Sequence, residues 1–326
     1  MTDTISTLRP PLTPVLDDGQ ITALIAHVAE EFAHQVRSPV FHDPSEAGLE
    51  YETVTFPALD GVVLEGWFIP APGSDKLIIS NHPMGFSRSG LTTQFEPWQS
   101  IWGPSGNTME VNFIPDYKIL HDAGYNVLCY DLRNHGLSGA GQHGGPTSGL
   151  FEARDVVGSI RYAKSHPDMA KMQVALFSRC FGANSTLSAM AQYPEEFGEV
   201  RSLLAPMPVT THIVVGRQLA LAGVPEEQID DVIARLDEEL RIRTSIGFAA
   251  RDTREWAKNA VVPTFLYQVR DDILTIPADV QAMYDNIPLG DKKLMWIENS
   301  TVRWDGYLEF QRRPQPGLDW FAAHWV

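Results

Sequence analysis

Short apolar segments alternate with helix-forming segments along most of the chain, and this alternation constrains the fold more than any other feature of the sequence. Segments such as KLIISNH (76–82), YNVLCYD (125–131) and MQVALFS (172–178) are apolar nearly throughout rather than at every second position. Such runs are typical of strands covered on both faces. Segments with helical character lie between them, for example LFEARDVVGSIRYAKS (150–165). The alternation predicts an α/β protein with a mainly parallel central sheet.

We expect an N-terminal helical arm, residues 1–50, followed by one larger domain, residues 51–326. The arm contains ITALIAHVAEEFAHQV (21–36), whose apolar residues recur at spacings of three and four, as in an amphipathic helix. We expect a leading hairpin at residues 51–69 and a closing helix that reaches Val326. Two long insertions, at about 86–114 and 207–260, interrupt the domain.

The insertions are predicted to cover a binding pocket, because long insertions in compact domains are usually lids or binding loops. The first carries Trp98, Trp102 and Phe113, which could line such a pocket. The second contains a strongly amphipathic helix and is expected to form a helical cap.

Composition excludes several classes of protein. The formal net charge of -16 argues against nucleic acid and anionic membranes as partners, and no apolar run approaches 18 residues. The N-terminus has no signal-peptide pattern, and two cysteines in 326 residues favour a reducing, cytoplasmic location. No metal or nucleotide motif is present, so we predict neither a metal nor another cofactor. The partner is expected to be a small molecule, and the segment before Tyr51 could cover a second subunit of a homodimer as easily as its own domain.

The stretch SRCFG (178–182) lies where a strand segment passes into a helix-like run. A tight strand-to-helix turn that presents a nucleophile needs small residues two positions before and after it. Ser178 and Gly182 stand there, on either side of Cys180. The pattern indicates either a thiol nucleophile on such a turn or a buried cysteine in an ordinary connection, whereas Cys129 lies in an apolar strand and is expected in the core.

Four stretches together resemble the α/β-hydrolase fold and, within it, the dienelactone-hydrolase-like branch, in which the nucleophile on this turn can be cysteine. They are NHPMG (81–85), YDLRNHGLS (130–138), SRCFG (178–182) and VRDDILTIP (269–277). Pro83 and Ser178 stand where glycine is usual. The resemblance implies a mostly parallel sheet of about eight strands with helices on both faces.

The resemblance also implies roles for individual residues. Cys180 would be the nucleophile, and the backbone N–H groups of Phe181 and Met84 would stabilise the oxyanion. Asp272 would be the acid, with Asp271 as the nearby alternative.

The histidine that the family's triad requires is missing from its usual place after the last strand, where this chain has Val302. His143 and His212 are candidates for a base that reaches the site from elsewhere. His82 and His135 belong to family motifs in which histidine usually makes structural hydrogen bonds.

A cysteine nucleophile could also make the missing histidine unnecessary, because a thiol can be ionised without a base. An ordinary thiol has a pKa near ~8.5, which a helix N-terminus and a nearby cation can lower to neutrality or below. Arg179 or Arg303 could supply the cation. The sequence therefore favours an enzyme that acts through Cys180 on an ester, thioester, lactone or activated carbonyl of a small apolar molecule, by hydrolysis, acyl transfer or rearrangement. The alternative is a catalytically silent relative that binds a ligand in the same pocket.

Overall fold

The computed structural model describes residues 15–34, 36–141 and 144–325. The strands are β1 (Glu52–Pro57), β2 (Val63–Ile69), β3 (Lys76–Asn81), β4 (Gly90–Leu91), β5 (Val111–Asn112), β6 (Asn126–Tyr130), β7 (Gln173–Ser178), β8 (Val200–Pro206), β9 (Thr264–Val269) and β10 (Lys292–Ile297). The helices are α1 (Asp18–Ala33), α2 (Trp98–Trp102), α3 (Ile114–Asp122), α4 (Ala153–Ser165), α5 (Phe181–Gln192), α6 (Thr211–Leu221), α7 (Ile229–Thr244), α8 (Thr253–Ala257), α9 (Pro277–Asn286), α10 (Arg303–Arg312) and α11 (Gln315–His324).

Eight strands form one sheet in the order β1-β2-β6-β3-β7-β8-β9-β10. The pairs β1–β2 and β2–β6 are antiparallel, and every other neighbouring pair is parallel. Every residue of β6 and β9 is buried, because helices cover both faces of the sheet. The predicted fold class and leading hairpin are therefore confirmed.

The closing segment differs from the prediction of a single helix that reaches Val326. It forms two helices, α10 and α11, with Pro314 between them. Proline has no N–H to donate and its ring clashes with the preceding turn, so one continuous helix cannot pass through this position. Val326 lies outside the described residues.

The N-terminal helix packs on the second insertion. Ile25 and Phe32 of α1 share a small hydrophobic core with Val215 of α6, Leu236 of α7 and Phe248. This cluster is separate from the main core around the sheet. We call the three helices α1, α6 and α7 the cap.

The first insertion forms α2 and the two-stranded sheet β4–β5. Across the three described ranges, no helix combines the length and apolar character needed to cross a membrane.

Candidate active site

Cys180 occupies the turn between β7 and α5 in a strained backbone conformation, with φ 50° and ψ -110°. A non-glycine residue adopts such a conformation only where the surroundings impose it. The Cys180 N–H donates to the Pro206 carbonyl at 2.7 Å, and the Cys180 carbonyl accepts from the Asn184 N–H at 2.9 Å. The cysteine is 8% exposed, and its exposed part faces a cavity.

The small residues around the turn have specific packing reasons. A Cβ atom added to Gly182 would lie 2.7 Å from the Cβ and the carbonyl oxygen of Asn81, so no larger residue fits. Ser178 is accommodated because its hydroxyl bonds to the Asn81 amide and to the Thr186 hydroxyl, each at 2.8 Å.

Arg303, the first residue of α10, lies between Cys180 and Asp272. Its Nη1 donates to the Asp272 carboxylate, and its Nη2 lies 3.4 Å from the Cys180 sulfur. Nη2 also donates to the Met207 carbonyl at 2.5 Å, and Nε donates to the Tyr307 hydroxyl at 2.9 Å. All three guanidinium nitrogens are thus engaged. A triad of nucleophile, base and acid has its imidazole at this intermediate position.

The guanidinium stays charged. Burial opposes the charge, but Tyr307, Asp272 and Cys180 together hold the pKa of Arg303 well above its usual value. A group in this state donates hydrogen bonds and positive charge and cannot accept a proton. Arg303 therefore cannot act as the base that an imidazole would provide.

Asp272 is the acid that faces the site, whereas Asp271 is exposed. Its Oδ1 accepts from the Leu274 N–H at 2.9 Å, and its Oδ2 accepts from the Gln268 amide at 3.3 Å. Burial raises the pKa of Asp272, and the Arg303 guanidinium acts in the opposite direction. The contacts make Asp272 the anchor that orients Arg303.

Tyr307 is a residue of the site that the sequence did not reveal as one. It lies one turn after Arg303 on the same face of α10, is 2% exposed, and lines the same cavity as Cys180 while its hydroxyl accepts from the Nε of Arg303. Burial raises the pKa of Tyr307 well above its usual value, so its hydroxyl keeps its proton. The sequence signal that could have found it is its four-residue spacing from Arg303.

The two predicted oxyanion donors lie beside the nucleophile. Phe181 is the first residue of α5, and both Phe181 and Met84 line the same cavity as Cys180. Among the described residues, neither backbone N–H has a hydrogen-bond acceptor. Both groups are therefore free to bind an oxygen of a ligand.

His82 and His135 hydrogen bond to the backbone. The Nε2 of His82 accepts from the Leu132 N–H at 2.9 Å, and its Nδ1 donates to the Pro83 carbonyl at 2.7 Å. The Nδ1 of His135 bonds to the Arg133 carbonyl at 2.8 Å. Burial lowers the pKa of His82 to about 4 and that of His135 to about 3, so both rings are neutral near pH 7.

Of the two histidines predicted as candidate bases, only His212 lies within the described residues. His212 lies on α6 but outside the cavity, with its ring 6.3 Å from that of Phe248. Burial lowers the pKa of His212. His143 lies outside the described residues.

Arg179 points into the core rather than toward the cavity. Its guanidinium lies 3.7 Å from the centre of the Phe177 ring and pairs with the buried Asp116 at 3.4 Å. Of the two arginines predicted as candidate cations, Arg303 is therefore the one beside the Cys180 sulfur.

The cavity has a volume of about 700 Å³ and a mostly apolar lining. Residues of α1, α2 and α6 line it together with Cys180, Arg303 and Tyr307. Trp98 and Trp102 belong to the lining as expected. Phe113 does not, because it stacks on Phe86 in the core. In the described ranges, no three histidine, cysteine or acidic side chains are grouped so as to hold a metal ion.

We compared the chain with known proteins. No family model matches the chain. A polyketide transferase, GrgF from a Penicillium species, is 25% identical over 138 residues, which are 42% of this chain and 40% of GrgF. The uncharacterized protein YfhR of Salmonella typhimurium is 25% identical over 43% of this chain and 41% of its own length. The matches thus span about two fifths of each curated relative.

Solved structures match over most of the chain. The Pyrococcus furiosus esterase Pf2001 has a TM-score of 0.64 at 22% identity, covering 90% of this chain and 97% of the esterase. GrgF itself has a TM-score of 0.55 at 16% identity, covering 85% and 99% of the two chains. A dienelactone hydrolase from Anabaena variabilis has a TM-score of 0.51 at 15% identity, again covering 85% and 99%. The chain therefore has the α/β-hydrolase fold, and dienelactone hydrolase is among its structural neighbours, as the sequence resemblance predicts.

Proposed function

We propose that the protein is a cysteine-nucleophile enzyme that forms an acyl-enzyme on Cys180 from an ester, thioester, lactone or other activated carbonyl of a small, largely apolar molecule. The observation that carries this proposal is the position of the sulfur, which faces the apolar cavity with the charged guanidinium of Arg303 3.4 Å away.

Positive charge lies next to the Cys180 sulfur. The guanidinium of Arg303 is a fixed positive charge beside the sulfur, and the N-terminus of α5 adds a partial positive charge. The nucleophilic form of cysteine is the thiolate. A serine in the same place would stay protonated, because it would need a base to remove its proton.

The cavity supplies the remaining parts of an acylation site. The N–H groups of Phe181 and Met84, which have no acceptor within the described part of the chain, would receive the oxyanion that forms when the thiolate attacks a carbonyl. The apolar walls from α1, α2 and α6 would bind the acyl chain, since burial contributes about 0.8 kcal/mol for each methylene group.

The similar proteins support acyl-group chemistry. Their names describe an esterase, a dienelactone hydrolase and a polyketide transferase, so both hydrolysis and transfer occur among proteins similar to this chain. One observation favours a second candidate. Arg303 stands where a triad would have its base, as expected for a pocket that binds a small apolar ligand without turning it over.

Acylation by p-nitrophenyl hexanoate separates the two candidates. We expect a burst of about one p-nitrophenolate per protein, and an intact mass raised by one hexanoyl group that peptide mapping assigns to Cys180. Cys180→Ala removes both signals. Cys129→Ala is the matched control and retains them, because Cys129 is buried in β6 and burial raises its pKa to about 12. Binding of the ester without a burst or an adduct would contradict the proposal and favour the silent pocket.

A further inference from the structure

The polar groups beside the Cys180 sulfur hold their protons. His27, Glu31 and His34 also line the cavity, but their side chains are about half exposed or more. Arg303 remains a cation, and Tyr307 keeps its phenolic proton. His82 and His135 hydrogen bond to the backbone, and His212 lies outside the cavity. Asp272 does not line the cavity, and its oxygens are held by Arg303, Leu274 and Gln268. A water molecule that attacked an acyl group on Cys180 would find no acceptor for its proton among the described groups beside the sulfur.

We infer that the site exchanges acyl groups between thiols, taking them from a thioester donor and passing them to a thiol acceptor. This inference rests on the proposed function, since it requires the acyl-enzyme on Cys180. It limits the acyl donors to thioesters and the acyl acceptors to thiols.

Thioester exchange balances without a base. In the first step the Cys180 thiolate attacks the donor carbonyl, a bond forms between carbon and the Cys180 sulfur, and the bond to the donor sulfur breaks with its electron pair. The donor leaves as a thiolate. In the second step an acceptor thiolate attacks the same carbonyl carbon, and Cys180 departs as a thiolate. No proton is taken up or released in either step.

The pKa difference between a thiol and water determines which of them can attack the acyl-enzyme without a base. An ordinary thiol has a pKa of about 8.5, so a few per cent is already thiolate at pH 7. Water has a pKa of about 15.7 and must lose its proton during attack. The help of a general base is worth about 10²–10⁴-fold. Among the described residues no base contacts Cys180 to give hydrolysis this factor, whereas attack by a thiolate does not need it.

The charge distribution also suits anionic sulfur. Arg303 is 3% exposed, and its Nη2 points toward the position of the reacting sulfur. The cavity lining is mostly apolar. A buried guanidinium stabilises an anion more strongly than one in water, because the local dielectric constant is lower. Each departing thiolate can therefore be stabilised beside Arg303.

A single-turnover experiment on the native chain tests the inference. The protein is acylated with the hexanoyl thioester of N-acetylcysteamine, freed of donor by gel filtration, and followed by intact mass with or without millimolar N-acetylcysteamine. We expect the acyl-enzyme to persist in buffer and to decay at least about 100-fold faster with the thiol, at a rate that rises with the thiolate fraction of the acceptor.

The outcomes distinguish this inference from the proposed function. Discharge in buffer as fast as with thiol would overturn the exchange reaction but leave the acyl-enzyme intact. If His143→Ala then slowed that discharge by about 10²-fold, His143 would be the base. Failure of the thioester and of p-nitrophenyl hexanoate to acylate Cys180 would overturn the proposed function as well.

Arg303→His provides a second test, because it places an imidazole next to the already positioned Asp272. We expect this variant to discharge its acyl group to water up to about 10²-fold faster than Arg303→Gln, which has neither charge nor base. Equal rates in the two variants would contradict the view that a missing proton acceptor limits hydrolysis. The comparison on the native chain needs no variant and decides the inference even if Arg303→His does not fold.

Discussion

Arg303 links Cys180 to Asp272, with its Nη2 atom 3.4 Å from the sulfur and its Nη1 atom bonded to the carboxylate. The arrangement keeps the order of nucleophile, middle group and acid that defines a hydrolase triad, but the middle group carries a fixed charge instead of a titratable imidazole. Such a middle group donates hydrogen bonds and positive charge but cannot shuttle a proton. The predictions below follow from this difference.

Arg303→Gln should slow alkylation of Cys180 by iodoacetamide at pH 6 by about tenfold or more, because an adjacent opposite charge favours the ionised form of a group by about that factor. The measurement is the rate of adduct formation by mass spectrometry. Arg303→Lys, which keeps the charge, should lose less reactivity than Arg303→Gln. Equal rates in native protein and Arg303→Gln would show that the guanidinium does not activate the sulfur.

Asp272→Asn should lower the free energy of unfolding by about 3–5 kcal/mol, since it leaves the buried Arg303 guanidinium without its counter-charge. Asp271→Asn is the matched control. Asp271 is the exposed neighbour in the chain, so its substitution should change stability by no more than about 0.5 kcal/mol. Urea denaturation measures both, and equal effects of the two variants would mean that the ion pair does not stabilise the fold.

The sheet was predictable from the sequence because its signals are local. β3, β6 and β7 coincide with the apolar runs 76–82, 125–131 and 172–178, and β1 and β2 lie within the predicted hairpin, 51–69. The strands β4 and β5 have only two residues each and are too short to show a periodic pattern. The helices were predictable to a similar degree. The apolar spacing of residues 21–36 predicted α1 to within a few residues, but the break at Pro314 was not predicted.

The site was less predictable because its contacts join distant parts of the chain. Cys180 and Asp272 stand out by their motifs, but the role of Arg303 depends on a contact across 123 residues of sequence. Aligned motifs placed Val302 at the usual histidine position. In the structure Val302 caps α10, and Arg303, the next residue, turns its side chain toward the acid and the sulfur.

Acidification should destabilise the protein through its buried histidines. His82 has its pKa lowered by burial from 6.5 to about 4, so the unfolded chain binds a proton at a higher pH than the folded chain does. The stability that this residue contributes is complete above pH 6.5 and is lost as pH falls toward 4, by about 3 kcal/mol.

Urea titrations at pH 7, 5.5 and 4 test this by comparing the native chain with His82→Gln, whose amide can replace both hydrogen bonds of the ring. The variant should lose about 3 kcal/mol less than the native chain over this range. Asp155, whose pKa burial raises to about 7, acts in the opposite direction but equally in both proteins. Parallel pH profiles would contradict the assignment of His82 as a buried neutral ring.

The length of acyl chain that the protein accepts should depend on the cap. Val214→Trp on α6 fills part of the 700 Å³ cavity and should lower the second-order rate constant of acylation by p-nitrophenyl hexanoate about tenfold more than that by p-nitrophenyl acetate. Ile242→Trp on α7 is the control, since Ile242 is 72% exposed and does not line the cavity. An equal loss for both esters in Val214→Trp would indicate that the acyl chain does not occupy this cavity.

Alkylation of the native protein by iodoacetamide over a pH series, read site by site by peptide mass spectrometry, tests the central claim most directly. The account predicts that Cys180 is modified below about pH 7 faster than a free model thiol, while the buried Cys129 is not modified in the folded state. Modification of Cys180 no faster than that of the model thiol, or none at all, would contradict the claim that Arg303 holds a reactive thiolate at the strand-to-helix turn.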